Sequence, residues 1–119
     1  MLFRSQAWFD RLAWWQHARA FFETYDLLLS PTVACPPLRV GELWATEIGG
    51  VKVGREAASA FTFAFNLTGQ PAATVPCGVT RDGLPIGLQI VGRRFDDVTV
   101  LRASAAFEAA RPWADRRPT

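Results

Sequence analysis

Cleaving an acyl group takes a nucleophile, a base within hydrogen-bond reach of it, and donors aimed at the developing oxyanion. The 119-residue sequence holds few side chains that could fill those roles. Its single histidine, His17, lies in an aromatic stretch beside Gln16 and Arg19. That setting predicts an ordinary, partly exposed residue without the oriented partner a general base needs. Cys77 falls in a β-prone run and Cys35 in a proline-rich loop, where a cysteine is expected to be a small apolar filler. A Cys–His pair is the alternative. Lys52, the only lysine, could serve as base in a serine hydrolase, but between Val51 and Val53 it reads as the polar position of a short extended segment. Gly49-Gly50 is followed by Val51, where an oxyanion or phosphate loop would continue with serine or with Gly-Lys-Ser/Thr. The acidic residues are scattered, and Asp96-Asp97 is assigned to helix capping. Neither a carboxylate pair, a metal constellation nor a cofactor is expected.

The elements that would carry these residues can be read from spacing and punctuation. Ser5 to Glu23 contains no Gly or Pro, and Trp8, Leu12, Trp15 and Phe22 recur at helical spacing. Asp26-Leu27-Leu28-Leu29-Ser30-Pro31 is a short apolar run stopped by proline, which predicts a buried strand entering a loop held extended by Pro31, Pro36 and Pro37. Arg39 to Gly54 shows no sustained period and is divided into turns by its glycines. Glu56 to Phe65 is helical again, with Ala57, Phe61, Ala64 and Phe65 at compatible spacing, and stops at Asn66-Leu67-Thr68-Gly69 before Pro71. Ala72 to Val91 reads as a hairpin about Arg81-Asp82-Gly83, since Asp-Gly suits the positive φ of a tight turn. Ile86, Leu88 and Ile90 share one face of its second strand and Gly87, Gln89 and Val91 the other. Gly87 suggests a close approach to the backbone there. Asp96 or Asp97 caps a last helix that runs to about Ala110 and ends at Arg111-Pro112. Its stripe of Val100, Ala103, Phe107 and Ala110 should lie on the sheet. The order of elements predicts an α/β architecture.

Composition bounds the function classes. The length suits one domain, and half of the residues are hydrophobic and one fifth charged, as in globular proteins. Twelve of the thirteen basic residues are arginine, dispersed along a chain of net charge +2, so no nucleic-acid footprint is present. Arg111, Arg116 and Arg117 read as a solvated basic tail. Two distant cysteines fit neither a disulfide framework nor a zinc pattern, and a reducing, cytoplasmic setting suits them. No apolar run reaches the roughly 18 to 20 residues that cross a bilayer, and no secretory signal follows Met1. The N-terminal aromatic helix lacks the basic excess of a membrane-surface helix. Its apolar surface is expected to meet protein instead, either a region outside this chain or a second copy, through Trp8, Trp14, Trp15 and Phe22.

Five phrases then carry a family resemblance. Tyr25-Asp26-Leu27-Leu28-Leu29-Ser30-Pro31-Thr32, Phe65-Asn66-Leu67-Thr68-Gly69-Gln70-Pro71-Ala72, Val75-Pro76-Cys77-Gly78, Gly83-Leu84-Pro85-Ile86-Gly87-Leu88-Gln89-Ile90-Val91-Gly92 and Phe95-Asp96 follow one another in the order of the C-terminal landmarks of amidase-signature enzymes. From about Phe9 to Trp113 the chain resembles that region. The resemblance implies an α/β fold with a mixed sheet covered by helices, of which residues 1–119 would be a single partial domain. It also implies hydrolysis of carboxylic amides by a nucleophilic serine, a second serine and a lysine base. Those three belong to an N-terminal region without counterpart here, and Lys52 does not match the family's lysine by context. No catalytic residue is therefore assigned, and the chain alone is expected to be inactive.

One residue-level carry-over concerns substrate binding. In the family's glutamine-dependent transfer-RNA amidotransferase subunits, the helix before the Asn-Leu-x-Gly phrase offers an aspartate to the substrate's amino group. The matching position, seven before Asn66, is Ser59. The resemblance thus points towards a general amidase acting on a small-molecule amide, with Ser59 and Thr62 on the pocket wall. Read without the family, Ser59 is a small residue tolerated on an alanine-rich helix, and Asn66 and Gly69 serve a helix end. The alternative function is a non-catalytic interaction module or relic that binds a partner through the aromatic helix. Cut from its neighbours, such a sheet would expose unpaired edges, and the isolated chain is expected to be marginally soluble.

Overall fold

The computed structural model of the protein describes residues 2–115; Arg116 and Arg117 of the basic tail lie outside the described residues. Three helices, α1 (Leu2–Thr24), α2 (Ala60–Thr68) and α3 (Asp97–Ala110), accompany five strands, β1 (Leu27–Pro31), β2 (Glu47–Ile48), β3 (Val51–Lys52), β4 (Ala72–Val79) and β5 (Pro85–Gly92). Strands β1, β5 and β4 form one sheet in that order, and β2 and β3 pair as a separate ribbon. The expected α/β architecture is present, and both pairings in the three-stranded sheet are antiparallel.

The β4–β5 hairpin is built as its sequence predicts. Gly83 takes φ 82° and its N–H donates to Thr80 O at 3.0 Å, while the Leu84 N–H reaches Thr80 Oγ1 at 3.1 Å. The register slips between Pro76 and Gly78, leaving Cys77 as the extra residue of a bulge. Strand β5 lies at the centre, so alternation gives it two buried faces. Leu88 and Ile90 face α3 and form a core with Val75 and Val100, supported by Ala103, Phe107 and Trp113. Ala110, expected to complete the α3 stripe, is exposed at the helix end.

Helix α3 is anchored at its start. Asp96 is the N-cap and accepts the Thr99 N–H at 3.2 Å. Just ahead of it, Gly92 leaves the room that Val100 fills: a Cβ there would meet Val100 Cγ2 at 2.6 Å. Substitution at Gly92 would therefore lift the helix from the sheet.

The opposite face of the sheet carries Gln89 and Val91, with α2 and α1 beyond. The segment expected to be helical from Glu56 begins as a 3₁₀ turn, Ala57–Ser59, and becomes α-helical only at Ala60. It ends as predicted, with Gly69 left-handed at φ 76° and donating to Phe65 O. Helix α1 is fastened to this end of α2 by Arg11, whose Nε donates to Leu67 O at 2.7 Å, a carbonyl left free in the last helical turn. One expectation for α1 is corrected. Phe22 is 5 % exposed and packs edge-on against Phe21, and Trp15 is half-buried, so neither offers the free surface expected of an interface. Trp8, Phe9, Leu12 and Trp14 do remain exposed.

Candidate functional site

The residues whose types could do chemistry lie on separate elements. His17 is exposed on α1, with its Nδ1 2.7 Å from Ala13 O one turn earlier. Lys52 is exposed on β3 opposite Glu47. Cys35 sits in the loop after β1, beside a cleft that Trp44 and Glu47 also line. Cys77 lies across the molecule in the hairpin bulge, its Sγ 3.5 Å from Ile86 O, and lines a cleft of about 760 Å³ with Leu84, Arg111 and Trp113. Both cysteines are free. Among the described residues no group of three or more His, Cys, Asp or Glu side chains could hold a metal ion. No helix among them is long and apolar enough to cross a membrane.

Ser59 and Thr62 are brought together. Ser59 ends the 3₁₀ turn, its Oγ donating to Glu56 O at 3.2 Å, and Thr62 Oγ1 donates to Ser59 O at 3.0 Å. Both side chains are half-buried, and their oxygens keep lone pairs free to accept from a donor. The Thr62 bond falls on a carbonyl near the start of α2, where it links the turn to the first turn of the helix.

What holds this turn in place was not evident from the sequence. The Ala34 N–H, in the loop leaving β1, donates to Ala58 O at 3.1 Å. From below, Gln89 Nε2 donates to Phe61 O at 3.2 Å and to Ser30 Oγ at 2.9 Å. Gln89 pairs with Ser30 on one side and Thr74 on the other, so a row of polar side chains crosses the sheet beneath α2. Next to that row, Thr32 Oγ1 bonds Thr74 Oγ1 at 3.3 Å directly over Gly87. A Cβ on Gly87 would lie 2.7 Å from Thr32 Oγ1 and 2.9 Å from Thr74 Cγ2, which is the close approach that the glycine predicted. The sequence signal for this row is the polar alternation of Ser30 with Thr32 and of Gln89 with Gly87 on strands otherwise rich in Leu, Ile and Val.

Asp96 is the carboxylate with a clear perturbation. Its pKa is lowered chiefly by hydrogen bonding to the Thr99 side chain and then to the Thr99 backbone, with Arg93 and Arg102 adding smaller attractions. A carboxylate held ionised at a helix N-terminus is a structural cap, and this assigns Asp96 to the fold.

Comparison with known proteins places the sequence in a family. The sequence model of the Amidase family matches residues 4–101. An acylamidase of Rhodococcus erythropolis is 40 % identical over 105 residues, covering 87 % of this chain and 22 % of that protein. A glutamyl-tRNA(Gln) amidotransferase subunit of Brevibacillus brevis is 43 % identical over 103 residues, covering 87 % of this chain and 20 % of its own length. The crystal structure of a bacterial aryl acylamidase of the amidase-signature family superposes with a TM-score of 0.81 at 36 % identity, over 92 % of this chain and 24 % of that one. The chain thus spans between a fifth and a quarter of the length of these relatives. It belongs to the amidase-signature family and corresponds to the C-terminal portion of its members.

Proposed function

We propose that this chain is the C-terminal portion of an amidase, a single partial domain, that hydrolyses carboxylic amide C–N bonds through a Ser-Ser-Lys triad in a region outside residues 1–119. The observation that carries this reading is the dispersal of the chain's own candidates: His17, Lys52, Cys35 and Cys77 stand on α1, β3, the loop after β1 and the hairpin bulge. Among the described residues no hydrogen bond joins one of these four side chains to another, which supports a part for the segment in structure and pocket wall. In the assembled protein, Ser59 and Thr62 form part of that wall, where their hydroxyl oxygens accept from a substrate N–H. A cytoplasmic setting is part of the same proposal and is supported by the two free cysteines.

The likeness to the acylamidase and to the amidotransferase is nearly equal, 40 % and 43 %, so overall identity does not select between their substrates. Ser59 does. A neutral hydroxyl offers no counter-charge to a substrate ammonium, which favours uncharged small-molecule amides. The test is release of ammonia or amine from such amides. The isolated chain is expected to release none, and the chain joined to the family's serine- and lysine-bearing region is expected to turn over. Turnover by the isolated chain would overturn the reading. A second reading is favoured by the exposed aromatic side chains of α1, with Trp8 67 % and Trp14 47 % exposed. On that reading the chain is a non-catalytic module that binds a partner protein or the missing region supplied separately. Replacing Trp8 and Trp14 by serine should then weaken capture of that region in a pull-down, and unchanged capture counts against it.

A further inference from the structure

Gln89 occupies the middle of the central strand and is 3 % exposed. A primary amide in that place has given up its water, a cost that only hydrogen-bond partners offset, and an apolar residue such as the neighbouring Val91 would fill the space without that demand. Its Nε2 donates to Ser30 Oγ and to Phe61 O, tying β5 to β1 and to α2, elements 59 and 28 residues away in sequence. The second bond is the informative one. Helix α2 has nine residues, and the side chain of its N-cap, Ser59, accepts no N–H of the helix. A helix of that length has little stability of its own, so outside contacts fix where it sits. Its apolar contact is one-sided, with Ala64 and Phe65 half-buried and Phe61, Phe63 and Leu67 exposed. Two hydrogen bonds to other elements flank Ser59: Ala34 N to Ala58 O, and Gln89 Nε2 to Phe61 O.

We infer that Gln89 is the positioning residue that sets the height and rotation of the Ser59–Thr62 turn against the sheet, and through it the affinity of the assembled amidase for its substrate. The inference rests on the pocket-wall role proposed for Ser59 and Thr62. It predicts that losing the tether weakens substrate binding while leaving the bond-breaking groups, which lie elsewhere, in order.

The experiment uses the assembled hydrolase and a small neutral amide. Gln89→Met keeps the volume and removes both donors. KM is expected to rise about tenfold with kcat within about threefold, since a small displacement of a binding group acts on substrate placement. Backbone amide exchange across residues 59–68 is expected to quicken about tenfold while that of α3 stays unchanged. Ser30→Ala leaves the bond to Phe61 O in place and should keep both readouts within about twofold of the parent. Parental KM and exchange in Gln89→Met, a fall in kcat without a rise in KM, or a Ser30→Ala variant matching Gln89→Met would overturn the inference. Should Gln89→Met lose protection in α3 as well, Gln89→Asn, one methylene too short to hold both bonds, is judged by the same criteria. An assembled parent that turns over no amide would defeat the proposed function alone, and exchange across α2 would then decide for or against the tether.

Discussion

On one face of the sheet, α3 lies across β4 and β5, Val75, Ile90 and Val100 are buried, and Gly92 admits Val100 to the strand surface. On the other face, hydrogen bonds from Arg11 to Leu67 O and from Gln89 to Phe61 O accompany the buried Phe22 and Val91, while Trp8, Phe9, Trp14, Phe61 and Phe63 stay exposed. The first face is closed by this chain's own side chains. The second keeps large aromatic side chains exposed, in a chain that spans 22 % of the acylamidase it resembles. The cluster of Val75, Ile90 and Val100 thus lies on the α3 face, and the exposed aromatic side chains on the α1–α2 face.

Ways to break this contrast begin in the packed core. Ile90→Ala removes a side chain that is 2 % exposed and should cost about 3 kcal/mol, enough to abolish a cooperative urea transition in a marginal chain. Next, Gly92→Ala should cost about 1–3 kcal/mol, because the new methyl collides with Val100 rather than with a flexible chain end. A denaturation midpoint unchanged by either substitution would remove the distinction between the faces. Asp96 gives a pH-dependent probe of the α3 face. Its pKa is lower in the folded state, so its contribution is complete above the unfolded value and fades as pH falls through the folded one. Asp96→Asn keeps a capping oxygen without the titration, and its thermal midpoint should fall less than the parent's between pH 5 and pH 3, about either side of a free aspartate. The smallest effect belongs to the other face: Trp14→Ser should change stability by under about 0.5 kcal/mol, as expected for a surface site. A larger loss would show that α1 supports the core.

Much of this arrangement was legible before the fold was known, for identifiable reasons. Helices α1 and α3 have more than three turns over which a 3.6-residue period can be seen, and the hairpin has Asp82-Gly83 at its turn. Strands β2 and β3 have two residues each around Gly49-Gly50, too few for alternation to register. The start of α2 is blurred in the sequence because Ala57–Ser59 has helical composition, and only its hydrogen bonding distinguishes a 3₁₀ turn. At the candidate site, Ser59 and Thr62 follow from the family resemblance and not from their own pattern. Gln89 was seen only as one polar residue on a strand face, since its partners Ser30 and Phe61 lie 59 and 28 residues away. Phe22 misled for a related reason: a helical stripe marks a buried side but does not say whether this chain or another covers it.

The strand order β1-β5-β4 also dictates a sequence of events in time. Strand β5 is the middle of the sheet but the last of its strands to be synthesised. Leu28 waits for Val91, and Leu29 for Ile90, across more than half of the chain. Among the described strands the leucine run of β1 pairs with β5 alone, whereas β4 and β5 meet across a short turn and can zip as soon as both exist. Folding should thus begin at the hairpin, with α3 closing over it, and finish with the capture of β1. The interval before that capture is when the nascent chain is most exposed to a chaperone or to a neighbouring copy.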